Sequence, residues 1–214
     1  MSLAGSLAKR LLEPLAPQLV VSRGSGKAPA VALTFDDGPH PANTPRILEA
    51  LAAAGAQATF FLQGSEAAKH PALVREIHAQ GHQVANHART HRKPSELGAK
   101  AYVREVKDTQ ALLCDIVGAP LARSFRPPYG ETSLRTLLRL TRSGFRYVYW
   151  SRDSEDSWLK EPQALVEHFH RRAACAGDIV LFHDDYAQTA AALPTLLRQL
   201  RKAGLQAVRV DALT

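Results

Sequence analysis

From Val31 onward, short apolar runs alternate with longer amphipathic stretches almost to the end of the chain. The runs at 31–35, 57–62, 82–86, 124–126, 145–150, 178–182 and 206–210 read as strands. Between them, segments 44–54, 66–80, 95–117, 133–143, 163–174 and 189–203 carry the spacing of amphipathic helices. Gly55, Gly81 and Gly144 stand where three of those helices should stop. Strands alternating with helices predict a mainly parallel α/β sheet, either open and doubly wound or closed as a barrel. There is no internal repeat and no low-complexity segment.

The first thirty residues differ. Leu7, Leu11, Leu12 and Leu15 space out one apolar helix face, and Ser22 to Gly26 read as a connector. The expected organisation is an N-terminal amphipathic helix and connector at 1–30, followed by a single domain at 31–214. At 214 residues with 45% hydrophobic content, the chain is long enough for one substantial core. No apolar run approaches the roughly 18 residues of a membrane span. Lys9, Arg10, Glu13, Pro14 and Pro17 interrupt what could otherwise be a signal-peptide core. A cytoplasmic location is therefore expected for the chain as given, unless an export signal has been removed.

The formal charge of +7 points to an acidic partner such as an anionic glycan, a membrane surface or nucleic acid. Lys9, Arg10, Arg23 and Lys27 against Glu13 place +3 of it in the first thirty residues. The remaining basic residues are scattered with little aromatic interleaving, so nucleic acid is not expected. Cys114 and Cys175 make neither a disulfide framework nor a thiolate metal site, and both are expected to be buried free thiols.

The strand ends carry the chemistry. The first ends at Asp36-Asp37-Gly38-Pro39, where adjacent carboxylates ionise together at low cost only beside a cation. A polar turn capping the next helix is the alternative reading. The third ends at His87-Ala-Arg-Thr-His91, and on a helical turn that i, i+4 spacing suits one metal ion. Alternatively, the pair is structural or solvated. Arg126-Pro-Pro-Tyr129 follows the fourth strand, Asp153-Ser-Glu-Asp156 and Trp158 the fifth, and His183 the sixth. In a parallel barrel all these ends face one side. One Asp with two His leaves open positions on a divalent ion, as catalytic sites require, and frees the second Asp as a base.

These motifs, in this order, resemble the polysaccharide deacetylase group (NodB homology, carbohydrate esterase family 4). Thr34-Phe-Asp-Asp-Gly38, His87–His91, Arg126–Tyr129 and Leu181-Phe-His183 match its first, second, third and fifth motifs. The resemblance runs from about Val31 to Val210 and implies a distorted (β/α)7 barrel. It implies that Asp37, His87 and His91 bind a divalent metal, usually zinc, with cobalt or a similar ion able to substitute. It further implies Asp36 as general base, oriented by Arg126, and His183 as general acid, paired with Asp153. The Tyr129 backbone N–H would help bind the oxyanion, and Trp158 would wall the acetyl methyl. The fourth motif departs from the family's Asp-x-x-Asp-Trp by one extra residue before Trp158. The implied activity is removal of N-acetyl groups from an N-acetylglucosamine-containing glycan. Alternatives are hydrolysis of an O-acetyl ester or another acyl group, a glycan-binding relative without turnover, and a basic interaction module built on residues 1–30.

Overall fold

The computed structural model describes residues 18–213. Its strands are β1 (Val20–Val21), β2 (Ala30–Asp36), β3 (Thr59–Leu62), β4 (Gln83–Asn86) and β5 (Ser124–Phe125), then β6 (Arg146–Val148), β7 (Arg152–Asp153), β8 (Ile179–His183) and β9 (Gln206–Val208). The helices are α1 (Thr44–Ala53), α2 (Gly64–Lys69), α3 (Pro71–Ala79), α4 (Pro94–Leu97) and α5 (Ala99–Val117), then α6 (Leu134–Arg142), α7 (Pro162–Arg171), α8 (Ala187–Lys202) and α9 (Val210–Leu213). The strands pair in parallel in the order β1-β6-β5-β4-β3-β2-β8-β7, and β9 adds to β2.

The short segment 146–153 supplies β6 next to one end of that order and β7 at the other. So few residues cannot span a flat sheet of this width, so the sheet curls and brings its two ends toward one another. The result is the distorted (β/α)7 barrel, a parallel half-barrel with helices outside. All seven expected strands are present; β1 and β7 are additional. Val20–Val21 falls within the expected N-terminal segment 1–30, ahead of its Ser22–Gly26 connector, yet pairs with Tyr147 and Val148, so the sheet starts before Val31. The expected helix over Leu7–Leu15 lies outside the described residues.

Side-chain alternation sorts the core into two layers. Val31, Leu33 and Phe35 of β2, with Val180 and Phe182 of β8, pack outward against Ile47, Leu51 and Leu193 of the helices. Ala32, Ile179, Phe61, Ala85 and Val148 turn inward. By the same period Thr34 and Asp36 face inward on β2, and Leu181 and His183 on β8. Register sets Asp36 directly beside His183.

Two expected helices are broken. The 66–80 stretch divides into α2 and α3 at His70-Pro71, where proline opens a new helix because it cannot continue the old one. The 95–117 stretch divides at Gly98, whose φ of 74° no continuous helix accommodates. The cysteines also depart from expectation, with Cys175 exposed and Cys114 half-buried. Among the described residues no helix is long and apolar enough to cross a membrane.

Candidate active site

Asp37, His87 and His91 converge just beyond β2 and β4. Asp37 Oδ1 lies 3.5 Å from His87 Nε2 and 3.3 Å from His91 Nε2. One ligand atom from each residue falls within 4.8 Å of the other two. The segment joining the histidines is not the helical turn that their spacing predicts. It is a loop that turns at Ala88, φ 61°, whose N–H is held by Asn86 Oδ1 at 2.9 Å.

His87 is buried, and its Nδ1 lies 2.8 Å from the Arg126 carbonyl oxygen. An N–H at Nδ1 donating to that carbonyl leaves Nε2 as a lone-pair donor toward Asp37, the usual orientation of a metal-binding histidine. Burial holds the His91 pKa below its ordinary value, against the pull of Asp37 and Asp36, which favours the neutral, ligating form of the imidazole. Burial alone would raise the Asp37 pKa, but the neighbouring histidines and the Gln63 amide bring it below the usual range. Two imidazoles and a carboxylate with open positions fit a borderline divalent ion such as zinc.

Asp36 points into the barrel. Its Oδ1 accepts from Arg126 Nη1 at 2.7 Å, while Oδ2 lies 3.9 Å from His87 Nε2. Arg126 is itself 0% exposed, and the fold answers nearly every face of it. Nη1 also donates to Thr34 Oγ1 at 2.7 Å; Nε donates to the Val148 carbonyl and Nη2 to the Tyr149 carbonyl, each at 3.1 Å. The Phe61 ring lies 4.2 Å from the guanidinium carbon. One cation thus joins the Asp36 carboxylate to backbone carbonyls at and just beyond β6.

The resemblance pairs His183 with Asp153; the structure pairs it with Asp156. Asp156 Oδ1 lies 2.8 Å from His183 Nδ1, and Asp156 Oδ2 accepts the His183 backbone N–H at 2.8 Å and the Thr189 hydroxyl at 2.7 Å. Asp156 is 0% exposed, whereas Asp153 is exposed and caps the local turn by accepting the Glu155 N–H at 2.9 Å. Burial disfavours the imidazolium of His183, but the hydrogen bond and charge of Asp156, with Asp36 and Asp37, outweigh it and lift its pKa to about 9. The signal for Asp156 is present in the sequence as the second aspartate of Asp-x-x-Asp.

Tyr129 lies at the rim. It is half-exposed, in a left-handed conformation of φ 58°, with its ring 4.3 Å from that of His91 and Lys93 Nζ 4.9 Å above it. Trp158, expected as an apolar wall, is 83% exposed, in contrast to the buried Asp156 two residues before it. Sequence reasoning also misses Gln63, whose amide donates to Asp37 Oδ1 at 2.8 Å, and Asp184, buried between β8 and the start of α1. Burial raises the Asp184 pKa to about 8.

With this geometry in place, the relatives are informative. Residues 23–148 match the family model described as polysaccharide deacetylase. A peptidoglycan-N-acetylglucosamine deacetylase of Bacillus cereus is 35% identical over 188 residues, covering 86% of this chain and 87% of that protein. A chitooligosaccharide deacetylase of Sinorhizobium fredii is 37% identical over 164 residues, covering 77% of this chain and 76% of its own. The solved structure of peptidoglycan deacetylase PdaC from Bacillus subtilis superposes with a TM-score of 0.81 at 30% identity, covering 88% of this chain and 91% of the other. The chain belongs to the polysaccharide deacetylase family, carbohydrate esterase family 4.

Proposed function

We propose that the protein is a metal-dependent hydrolase that removes N-acetyl groups from an N-acetylglucosamine-containing glycan, releasing acetate and leaving a free amine. The observation that carries this reading is the placement of a carboxylate and an imidazole, Asp36 and His183, side by side on β2 and β8, next to the Asp37, His87 and His91 donor set. Zinc is the ion the donor set suits best, with cobalt or a similar ion able to replace it. When bound, it supplies Lewis acidity that polarises the acetamide carbonyl and acidifies the attacking water.

The chain's own residues do the rest. Arg126 holds Asp36 Oδ1, which leaves Oδ2 to take the proton from water as its oxygen attacks the acetamide carbon. The Tyr129 N–H helps hold the negative charge on the former carbonyl oxygen. His183, kept protonated by Asp156, gives its proton to the sugar nitrogen as the carbon–nitrogen bond breaks. The amine leaves neutral, and acetate carries away the added oxygen. Acetate release from chitin oligomers, peptidoglycan and acetylated xylan, each measured with several metals, tests the reading. Release from the first or second supports it; release from the xylan ester alone assigns O-deacetylation instead.

A further inference from the structure

Asp184 follows the general acid directly, is fully buried, and has no part in the chemistry above. Its backbone N–H donates to the Asp36 carbonyl at 3.2 Å, where β2 hands over to the Asp37 turn. Its Oδ2 accepts the Thr44 hydroxyl at 2.6 Å, and the same hydroxyl oxygen accepts the His40 backbone N–H at 2.8 Å. Beside it, Asn43 Nδ2 donates to the Asp185 carbonyl at 2.9 Å. The tip of β8 therefore grips both ends of the 37–44 loop.

Gly38 lies against that grip. A Cβ built on Gly38 would fall onto the Asp184 carboxyl group. Gly38 is not in the left-handed region, so glycine is needed here for space and not for backbone freedom. Its neighbour Asp37 is left-handed, with φ 78°, a conformation that a non-glycine residue keeps only where its surroundings enforce it. On one side the Gln63 N–H donates to the Gly38 carbonyl at 3.0 Å and the Gln63 amide to Asp37 Oδ1. On the other side stands the Asp184 carboxyl.

We propose that Asp184 is a positioning residue: seated on the Cα of Gly38 and held by Thr44, it fixes the turn that aims the Asp37 carboxylate at His87 and His91. The inference rests on Asp37 being a metal ligand. It also gives a reason for the glycine in Asp-Asp-Gly, since its hydrogen makes room for a carboxyl arriving from the far end of the sequence.

The test is zinc affinity of the metal-free protein, measured by competition with a chromophoric chelator, with folding of each variant checked by circular dichroism. Asp184→Ala and Gly38→Ala should each weaken zinc by about 10-fold to 100-fold, the usual effect of disturbing groups that orient a ligand. The double variant should bind no more weakly than Gly38→Ala alone, because the new methyl takes the vacated space. Asp184→Asn fits the same space, keeps the Thr44 bond and should bind like wild type. Wild-type affinity in Asp184→Ala, or losses that multiply in the double variant, would overturn the proposal. Should Asp184→Ala not fold, Gly38→Ala and Asp184→Asn decide: an unweakened Gly38→Ala or a weakened Asp184→Asn rejects it. Asp37→Ala is the control. If that variant holds zinc like wild type, the metal-site reading has failed rather than the positioning.

Discussion

His183 and the two aspartates near it show how much hangs on single side chains. A general acid must be protonated when the amine leaves, so turnover should fall as pH rises through about 9, where His183 loses its proton. His183→Ala should cost roughly 10²–10⁴ in rate with metal content unchanged. Asp156→Asn should move the alkaline limb of the pH–rate profile to lower pH, and Asp153→Asn should leave it in place. An alkaline limb that shifts with Asp153 and not with Asp156 would reverse the assignment. Asp36→Asn should keep its metal and lose most turnover, since an amide takes no proton from water. Metal content per chain and acetate release, measured on this variant and on Asp37→Ala, separate base from ligand. At this scale the sequence was legible for the positions fixed by strand alternation, namely Asp36 and His183. It misled at Asp153, because two aspartates three apart in a loop differ only in which one the backbone turns inward.

Elements explain that difference. Regular strands transmit position by a period of two, so placing Asp36 and His183 follows from pattern alone. Loops transmit nothing comparable: Ala88 and Tyr129 depend on left-handed backbone that no periodicity announces. Strands β1 and β7, of two residues each, are too short to carry a period of their own, and neither was expected. The breaks at Pro71 and Gly98 were written in the sequence, but apolar spacing continued across them. Strand β2 is the element on which the site depends most. Phe35 is fully buried and stacks between Phe60 and Phe182, with ring centroids 5.1 and 5.8 Å away. Phe35→Ala should destabilise by about 3–5 kcal/mol in denaturant unfolding. A loss below about 1 kcal/mol, the size of an ordinary surface substitution, would show that this stack matters little.

For the molecule as a whole, chelation should abolish turnover and added zinc or cobalt should restore it; undiminished activity in rigorously metal-free protein would sink the mechanism. The metal-free protein should also lose stability between about pH 7 and 9. His183 rises from 6.5 to about 9 on folding, and Asp184 from 3.8 to about 8. The folded state therefore holds protons that the unfolded state has released, and that advantage vanishes as pH climbs through the folded values. Melting temperature across this range measures it, and Asp184→Asn should flatten part of the slope. A melting temperature that rises over the same range would contradict the raised pKa values. Arg126 has a wider consequence. Because its guanidinium ties β2 to the backbone at and after β6 as well as holding Asp36, a lineage drifting away from catalysis could discard His183 at less structural cost. It could not discard Arg126 without opening the fold, nor neutralise Asp36 without stranding a buried cation, a loss of about 3–5 kcal/mol. Descendants that no longer turn over substrate should therefore still carry the arginine, a fossil of the reaction kept for its architecture.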